Sequence, residues 1–430
     1  METNRYIKSE EFLKLAESKI PLGSQTFSKS KTQYPIGISP LFITHAKGSK
    51  VYDLDGNEYI DLVNSLACIT LGHADPEIIL AVEKQLNAGS IYSLPSPLEY
   101  EVADLLTEII PCADMVRFAK NGTDATSASI RLARAHTNKN HVIHTGYHGW
   151  QDWYIGSTTR SKGVPDQVSA LSHSANLEDY SQIKDLFLKF KGDIACVIIE
   201  PIGRNIPSKE YLESIKSLCE ANGALLIFDE TITGFRVANG GAQELIGVVP
   251  HIATFGKGMA NGLPLSAVVG QREYMMQFED IFISGTFGGE LLSLAAGKKV
   301  LERYINEPIT EQLCQIGNSL SNEIETLIIK YELQNILSIS GHDTWKFLTW
   351  SNAELFDSNV IRTYFMQEMF MRGVLVLGTH NVSIAIDSAD ILKVQNTYDE
   401  VLKLIREGLD KGSIRNSLQV DPLTPLFKIR

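Results

Sequence analysis

The chain reads as an α/β protein built on a mainly parallel sheet with helices on both faces, accompanied by a smaller α+β unit. Three observations lead there. Two continuous apolar runs, Ile194 to Ile199 and Ala224 to Phe228, are of strand length and lack the alternation of a strand with one wet face, which is the texture of strands buried on both sides. Between them, Lys209 to Ala221 carries apolar residues at helical spacing. Strands that alternate with helices in this way imply parallel crossovers.

Taken in order, the first regular structure is extended. Leu41 to Thr44 and Lys50 to Leu54 are short apolar-alternating runs, and Asp55-Gly56-Asn57 is a hairpin signal. Pro76 to Leu86 and Pro97 to Ile109 follow as helices, each with proline near its start. Val116 to Ala119 is a strand leading into a helix from Thr123 to Ala135, and Ile252 to Phe255 and Leu265 to Val269 are further short strands. Phe347 to Trp350, Gly373 to Leu377 and Val382 to Ile386 are expected as strands of the smaller unit, beside a helix from Ile391 to Glu407.

Composition narrows the function. The 430 residues exceed one ordinary core, so two domains are expected. A net charge of −12 and the lack of any Lys/Arg block argue against a nucleic-acid partner. Met1 to Lys19 holds no continuous apolar stretch and no run of about 18 apolar residues occurs elsewhere, so neither a secretory signal nor a membrane span is expected. The 5 cysteines are scattered and form no CxxC pair, which suits reduced thiols and a cytoplasmic location. Asn121-Gly122-Thr123 and Asn381-Val382-Ser383 match the glycosylation sequon and are set aside for want of a secretion signal.

In an open α/β sheet ligands sit beyond the carboxyl ends of the strands, so polar residues that end strands are the candidates. Asn121-Gly122-Thr123 lies between a strand and a helix, where free N–H groups, the helix dipole and a hydroxyl suit a phosphate; an ordinary N-cap is the alternative. Glu200 ends the first apolar run. Asp229 ends the second, where a carboxylate needs a positive partner: a protonated pyridine nitrogen of a ligand, or an ion pair with Arg236. Lys257 stands between two glycines after Ile252 to Phe255, where a dry setting can lower an amine's pKa enough to attack a carbonyl; a solvated lysine is the alternative. Gly256 to Gly262 departs from a dinucleotide fingerprint in its last glycine, with Pro264 where a helix should run. His136, His141, His144 and His148 match no zinc spacing, so no metal is expected.

Together these segments resemble the class III pyridoxal-phosphate-dependent aminotransferases, in their glutamate-1-semialdehyde aminomutase branch. The resemblance runs from about Ile20 to Tyr304, with a fainter echo over Gly373 to Asp390. It rests on Val51 to Val63 (VYDLDGNEYIDLV), Asn121 to Thr137, Tyr147 to Trp150 (YHGW), Ile198 to Pro201 (IIEP), Asp229 to Gln243 (DETITGFRVANGGAQ), Phe255 to Gly270 (FGKGMANGLPLSAVVG) and Gly285 to Gly289 (GTFGG).

The resemblance implies a fold type I enzyme with pyridoxal 5'-phosphate as cofactor. Lys257 matches the lysine that forms a Schiff base with it, and Asp229 the carboxylate that keeps its pyridine nitrogen protonated. Gly122 and Thr123, preceded by Asn121, match the phosphate-binding turn. Tyr147 matches the aromatic stacked on the ring, Thr231 falls where the family usually has an aliphatic residue under the ring, and Glu200 lies in the IIEP motif. Thr286 matches a threonine that reaches the neighbouring subunit's cofactor, which implies a homodimer. The implied domains are a large one over 60–305 and a small one combining 1–59 with 306–430, with the site at the domain and subunit boundary. The family's substrate-binding arginine is missing from Gly23 to Lys31, which offers only Lys29 and Lys31; Glu290-Leu291 stands where the family has Asn-Pro; His251 replaces an aspartate. An aminotransferase passing an amino group from an amino acid donor to an aldehyde or ketone, including an oxidised sugar or aminocyclitol, is therefore expected ahead of an aminomutase with Lys29 against the substrate carboxylate. A regulatory cofactor-binding protein is the reading from another class, and the intact Lys257 and Asp229 argue against it.

Overall fold

The computed structural model describes residues 5–424; the outer ends of the expected small domain, residues 1–4 and 425–430, lie outside the described residues. In chain order the strands are β1 (Ile43–Lys47), β2 (Lys50–Asp53) and β3 (Glu58–Asp61), then β4 (Met115–Ala119), β5 (His141–Thr145), β6 (Ser172–Ser174), β7 (Ile194–Ile199), β8 (Leu225–Asp229), β9 (Ile252–Phe255) and β10 (Ser266–Gly270). β11 (Leu337–His342), β12 (Trp345–Trp350), β13 (Val374–Leu375) and β14 (Thr379–Asn381) complete the set. The chain divides into two compact units, one from the described parts of Met1–Leu66, Leu71–Asp75 and Gln312–Leu426, the other from Ala67–Thr70 and Pro76–Glu311.

In the first unit, β1, β2 and β3 form an antiparallel meander that turns through Asp55-Gly56-Asn57, with Gly56 at φ +93°. β13 joins it parallel to β3, Val374 opposite Ile60, so distant parts of the chain share one sheet. β11, β12 and β14 form a second sheet. Val382 to Ile386 is not a strand: pairing with β12 ends at Asn381, whose amide donates to Leu62 O at 2.8 Å. The segment then turns, Ile386 N donating to Ser383 O, into the helix Ser388–Asp410 capped by Asp387. Its apolar alternation reflects loop side chains buried by tertiary packing, Val382 and Ile386 among them.

The second unit holds the seven-stranded sheet in the order β4-β10-β9-β8-β7-β5-β6. β9, β8, β7, β5 and β6 run parallel, and β10 is antiparallel to both neighbours. Every residue of β7 and β8 is buried, as their unbroken apolar runs require. Helices Gly122–Thr137 and Lys209–Ala221 bury apolar stripes that include Ile130, Leu132, Leu212 and Ile215. The carboxyl ends of β5, β7, β8 and β9 are thus aligned along one edge, each carrying a polar residue into a loop.

His144, mid-β5, is fully buried and neither ring nitrogen finds a hydrogen-bond partner. Burial, followed by the nearby His148 and His173, lowers its imidazole to about 3. Its folded value lies below that of a free histidine, so this site's contribution to stability is complete above the unfolded value and is lost as pH falls through it. At pH 5 the loss is on the order of 2 kcal/mol. Replacing His144 with Leu is therefore expected to stabilise the protein relative to the parent by an amount that grows as pH drops from about 7 to 5; thermal unfolding across that range checks it, and a pH-independent difference would contradict it.

Candidate active site

Asp229 ends β8 and is 5% exposed. A carboxylate so buried needs donors, and it has four. Its Oδ1 accepts from Thr231 N at 3.1 Å, Thr231 Oγ1 at 2.6 Å and Thr254 Oγ1 at 3.1 Å, while its Oδ2 takes only His148 Nδ1 at 2.8 Å. Burial pushes the carboxyl up, but the hydrogen bond and charge of His148, then Thr231, outweigh it, and the net direction is below the usual carboxylate range. The other nitrogen of His148, Nε2, lies 3.0 Å from Thr145 O, which can only accept. With Asp229 ionised, both ring nitrogens must donate, which makes the pair a buried imidazolium and carboxylate. Oδ2 keeps room for one more donor, such as a ligand N–H.

One of the two partners the sequence leaves open for Asp229 is excluded: Arg236 donates its guanidinium to Ala67 O at 3.0 Å. His148, one of the histidines that match no zinc spacing, is the partner that Asp229 finds within the chain. The signal was present in the demand of Asp229 for a positive group, but linear spacing could not say which one.

Lys257 follows β9 through Gly256 and opens the 3-10 turn Lys257–Ala260 at φ +42°, a left-handed conformation that a side-chain-bearing residue adopts only under constraint. Burial lowers its amine; Cys68, Glu200 and Asp229 push it back up, Arg236 opposes them, and the net direction is downward. An amine held this way is nucleophilic nearer neutral pH than a solvated lysine.

Asn121 is the N-cap of helix Gly122–Thr137, and its N–H donates to the Asp124 carboxylate at 2.8 Å. The amides of Gly122 and Thr123 have no acceptor among the described residues, which is the arrangement of an anion site at a helix N-terminus. A Cβ at Gly122 would lie 2.8 Å from Thr231 Cγ2, so glycine brings the turn against the Asp229 loop. Thr123 Oγ1 accepts from Trp150 N at 3.2 Å, and Gly149, at φ +103°, lets the loop after β5 pass over it: a Cβ there would meet that oxygen at 2.3 Å.

Tyr147 is half exposed, and its N–H donates to Glu200 Oε2 at 2.9 Å, so Glu200, just past β7, anchors the loop that carries Tyr147 and His148. Burial raises the Glu200 carboxyl. Thr286 is exposed in the loop before helix Leu291–Asn306, apart from these hydrogen bonds. Together the residues fit pyridoxal phosphate: free amides for phosphate, an ionised carboxylate with an open lone pair for a pyridine N–H, and an amine for an aldehyde.

The departures from the family pattern have local roles. Glu290 caps its helix by accepting from Leu292 N at 2.7 Å and Ser293 N at 3.2 Å, and it pairs with Lys120 at 3.0 Å. His251 Nδ1 accepts from Leu226 N at 2.8 Å. Lys31 pairs with Glu17 at 2.5 Å. Lys29 donates to Ser65 Oγ at 3.4 Å and lines a cavity of about 340 Å³ within the first unit.

Comparison with known proteins agrees with this geometry. The family described as aminotransferase class-III matches residues 33–406. A glutamate-1-semialdehyde 2,1-aminomutase of Methanosphaera stadtmanae is 33% identical, covering 98% of this chain and 99% of the relative. One of Sulfurihydrogenibium azorense is 38% identical, over 93% of this chain and 98% of the relative. Among solved structures, the FumI protein of Sphingopyxis sp. MTA144 in its PLP internal aldimine form superposes with a TM-score of 0.87 at 25% identity, covering 97% of this chain and 99% of that one.

The buried pair should reveal itself by non-additivity. His148→Leu is expected to cost about 3 kcal/mol of stability because it strands the Asp229 charge. Adding Asp229→Asn to it should cost less than the sum of the two single changes by 1 kcal/mol or more, roughly. Chemical denaturation of the cofactor-free protein measures both, and strict additivity would refute the pairing. Gly149→Ala should weaken pyridoxal-phosphate retention at least tenfold, roughly, by displacing Thr123 from the turn, as read by equilibrium dialysis.

Proposed function

The chain belongs to the class III aminotransferases, pyridoxal-phosphate enzymes of fold type I, and from that membership we propose that it moves an amino group on glutamate-1-semialdehyde, as a 2,1-aminomutase. The support is the set of curated relatives carrying that name at 33% and 38% identity over nearly their whole length. They reverse the order expected from the arginine-free loop. In this reading Lys29, which has no carboxylate partner among the described residues, stands against the substrate carboxylate.

A single observation carries the amino-transfer chemistry: an ionised, almost buried Asp229 with one oxygen left open, in the same site as a lysine amine whose titration is lowered. When bound, the cofactor supplies an electron sink for the negative charge that develops on the substrate carbon. The residues of the chain do the rest. Asp229, locked by His148, Thr231 and Thr254, would hold the pyridine nitrogen through its open oxygen and favour its protonated form. The Lys257 amine would be the group that holds the aldehyde, and the same amine could carry a proton to and from the substrate carbon. Gly122 and Thr123, with Asn121 behind them, would bind the phosphate, and Tyr147 and Thr231 would lie against the ring; Glu200 fixes the Tyr147 loop.

A homodimer completes the reading, with Thr286 serving the neighbouring subunit's site. Its loop exposes Phe282 at 85% and Phe287 at 59%, apolar rings suited to a protein surface. None of the five cysteines is joined in a disulfide, in keeping with a reducing, cytoplasmic setting.

One observation favours a second substrate class. Gly23 to Lys31 contains no arginine for a carboxylate, which suits intermolecular transfer to an aldehyde or ketone without one. Conversion of glutamate-1-semialdehyde with no added donor or acceptor supports the aminomutase, and an absolute requirement for both sinks it. In either case borohydride should fix the cofactor on Lys257, and Lys257→Ala should lower turnover by more than roughly a hundredfold.

A further inference from the structure

Beyond the carboxyl ends of β5, β6 and β7 lies a second cavity of about 360 Å³, all of it within the second unit. It adjoins the candidate active site at Glu200, which accepts from Tyr147 N and also lines the cavity.

Its polar lining is unusual in what it leaves unused. Thr145, the last residue of β5, is 3% exposed and its Oγ1 has no hydrogen-bond partner. Arg204, an exposed residue on the lining, makes no ion pair or hydrogen bond among the described residues. Glu178 accepts from Asn205 Nδ2, so it reaches the cavity already oriented. Asn176 offers an amide beside it, and the Tyr211 hydroxyl is spent on Leu177 O, which leaves its ring as wall.

Charge decides the kind of ligand. A lone anion on Arg204 would face the carboxylates of Glu178 and Glu200, and a lone cation would face Arg204. A neutral compound with several hydroxyls meets neither penalty, because each hydroxyl both donates and accepts. Planar groups such as guanidinium, carboxylate and amide can each engage two adjacent hydroxyls.

We propose that this cavity takes the polyhydroxylated body of a sugar-like or cyclitol-like carbonyl substrate. The inference rests on the second of the two substrate readings above and names the site that serves it. The reaction is balanced without a further reactant: the donor amine's nitrogen passes to the acceptor's carbonyl carbon, the donor carbon becomes a carbonyl, and the acceptor's oxygen ends in the water exchanged between them. Arg204 and Glu178 are specificity-determining residues in this scheme and take no part in moving protons.

The test uses the full-length holoenzyme, loaded with an amino group by glutamate and freed of donor. Return of the yellow form is then followed with a keto-inositol, with butanone as the acceptor of similar reactivity without hydroxyls, and with glutamate-1-semialdehyde. The keto-inositol is expected to show a KM at least a hundredfold below that of butanone. Arg204→Ala and Glu178→Gln should each raise the keto-inositol KM tenfold or more, leaving its kcat and the butanone rate within twofold. The proposal is overturned if the hydroxylated ketone reacts no better than butanone, or if the two substitutions raise the KM of glutamate-1-semialdehyde instead, which would make the cavity a carboxylate site. Failure of glutamate to change the spectrum, with no borohydride adduct on Lys257, would remove the amino-transfer reading itself and this inference with it.

Discussion

The ion pair between His148 and Asp229 is the constraint around which the second unit is arranged. Burying two opposite charges costs several kcal/mol of solvation for each ion, and their attraction offsets it only when the remaining hydrogen-bonding capacity is also filled. The chain meets that condition from three directions. Thr145 supplies a carbonyl from β5, Thr231 two donors from the loop after β8, and Thr254 a hydroxyl from β9. Because β7 lies between β5 and β8, the loop after β5 must cross the end of β7 for His148 to reach Asp229. Glu200 stands at that crossing and holds the loop by the Tyr147 amide.

The same crossing explains where backbone strain collects. The loop passes over the N-terminus of helix Gly122–Thr137 closely enough that Gly149 cannot carry a side chain, and Trp150 N is tied to Thr123. On the other side of Asp229, Lys257 is held in a left-handed conformation as β9 ends. Strain of this kind costs of order 1–3 kcal/mol per residue and persists only where neighbours determine the geometry. Here the neighbours are the core strands β7, β8 and β9, buried along their length. The site's irregular backbone thus leans on the most regular part of the fold.

The core strands and main helices of the second unit were legible because their residues record burial directly: Ile194 to Ile199 and Ile252 to Phe255 have the predicted bounds. β5 was not. Its sequence, HVIHT, mixes histidines with apolar residues, and only tertiary packing reveals that His144 is a core residue. Val382 to Ile386 shows the opposite error, a buried loop that imitates a strand. In the site, Asp229 and Lys257 stood out because a charge at the end of an apolar strand is costly unless it has work to do. Their partners did not stand out: His148 lies 81 positions from Asp229, and Thr254 sits inside a strand whose pattern explains it without function.

Burial alone would give this site the wrong charges for its proposed chemistry. It drives a carboxyl up and an amine down, and amino transfer needs only the second of these, since Asp229 must stay ionised to hold a protonated pyridine while Lys257 must be able to lose its proton. The polar neighbours resolve the conflict by being unevenly shared. Asp229 receives a cation and three further donors, enough to overcome burial. Lys257 has the charges of Cys68, Glu200 and Asp229 on its side, but Arg236 works against them and burial prevails. His148 thus does more than fill space beneath Asp229: by serving one of the two reactive groups and not the other, it lets a single pocket move the carboxyl and the amine downward together.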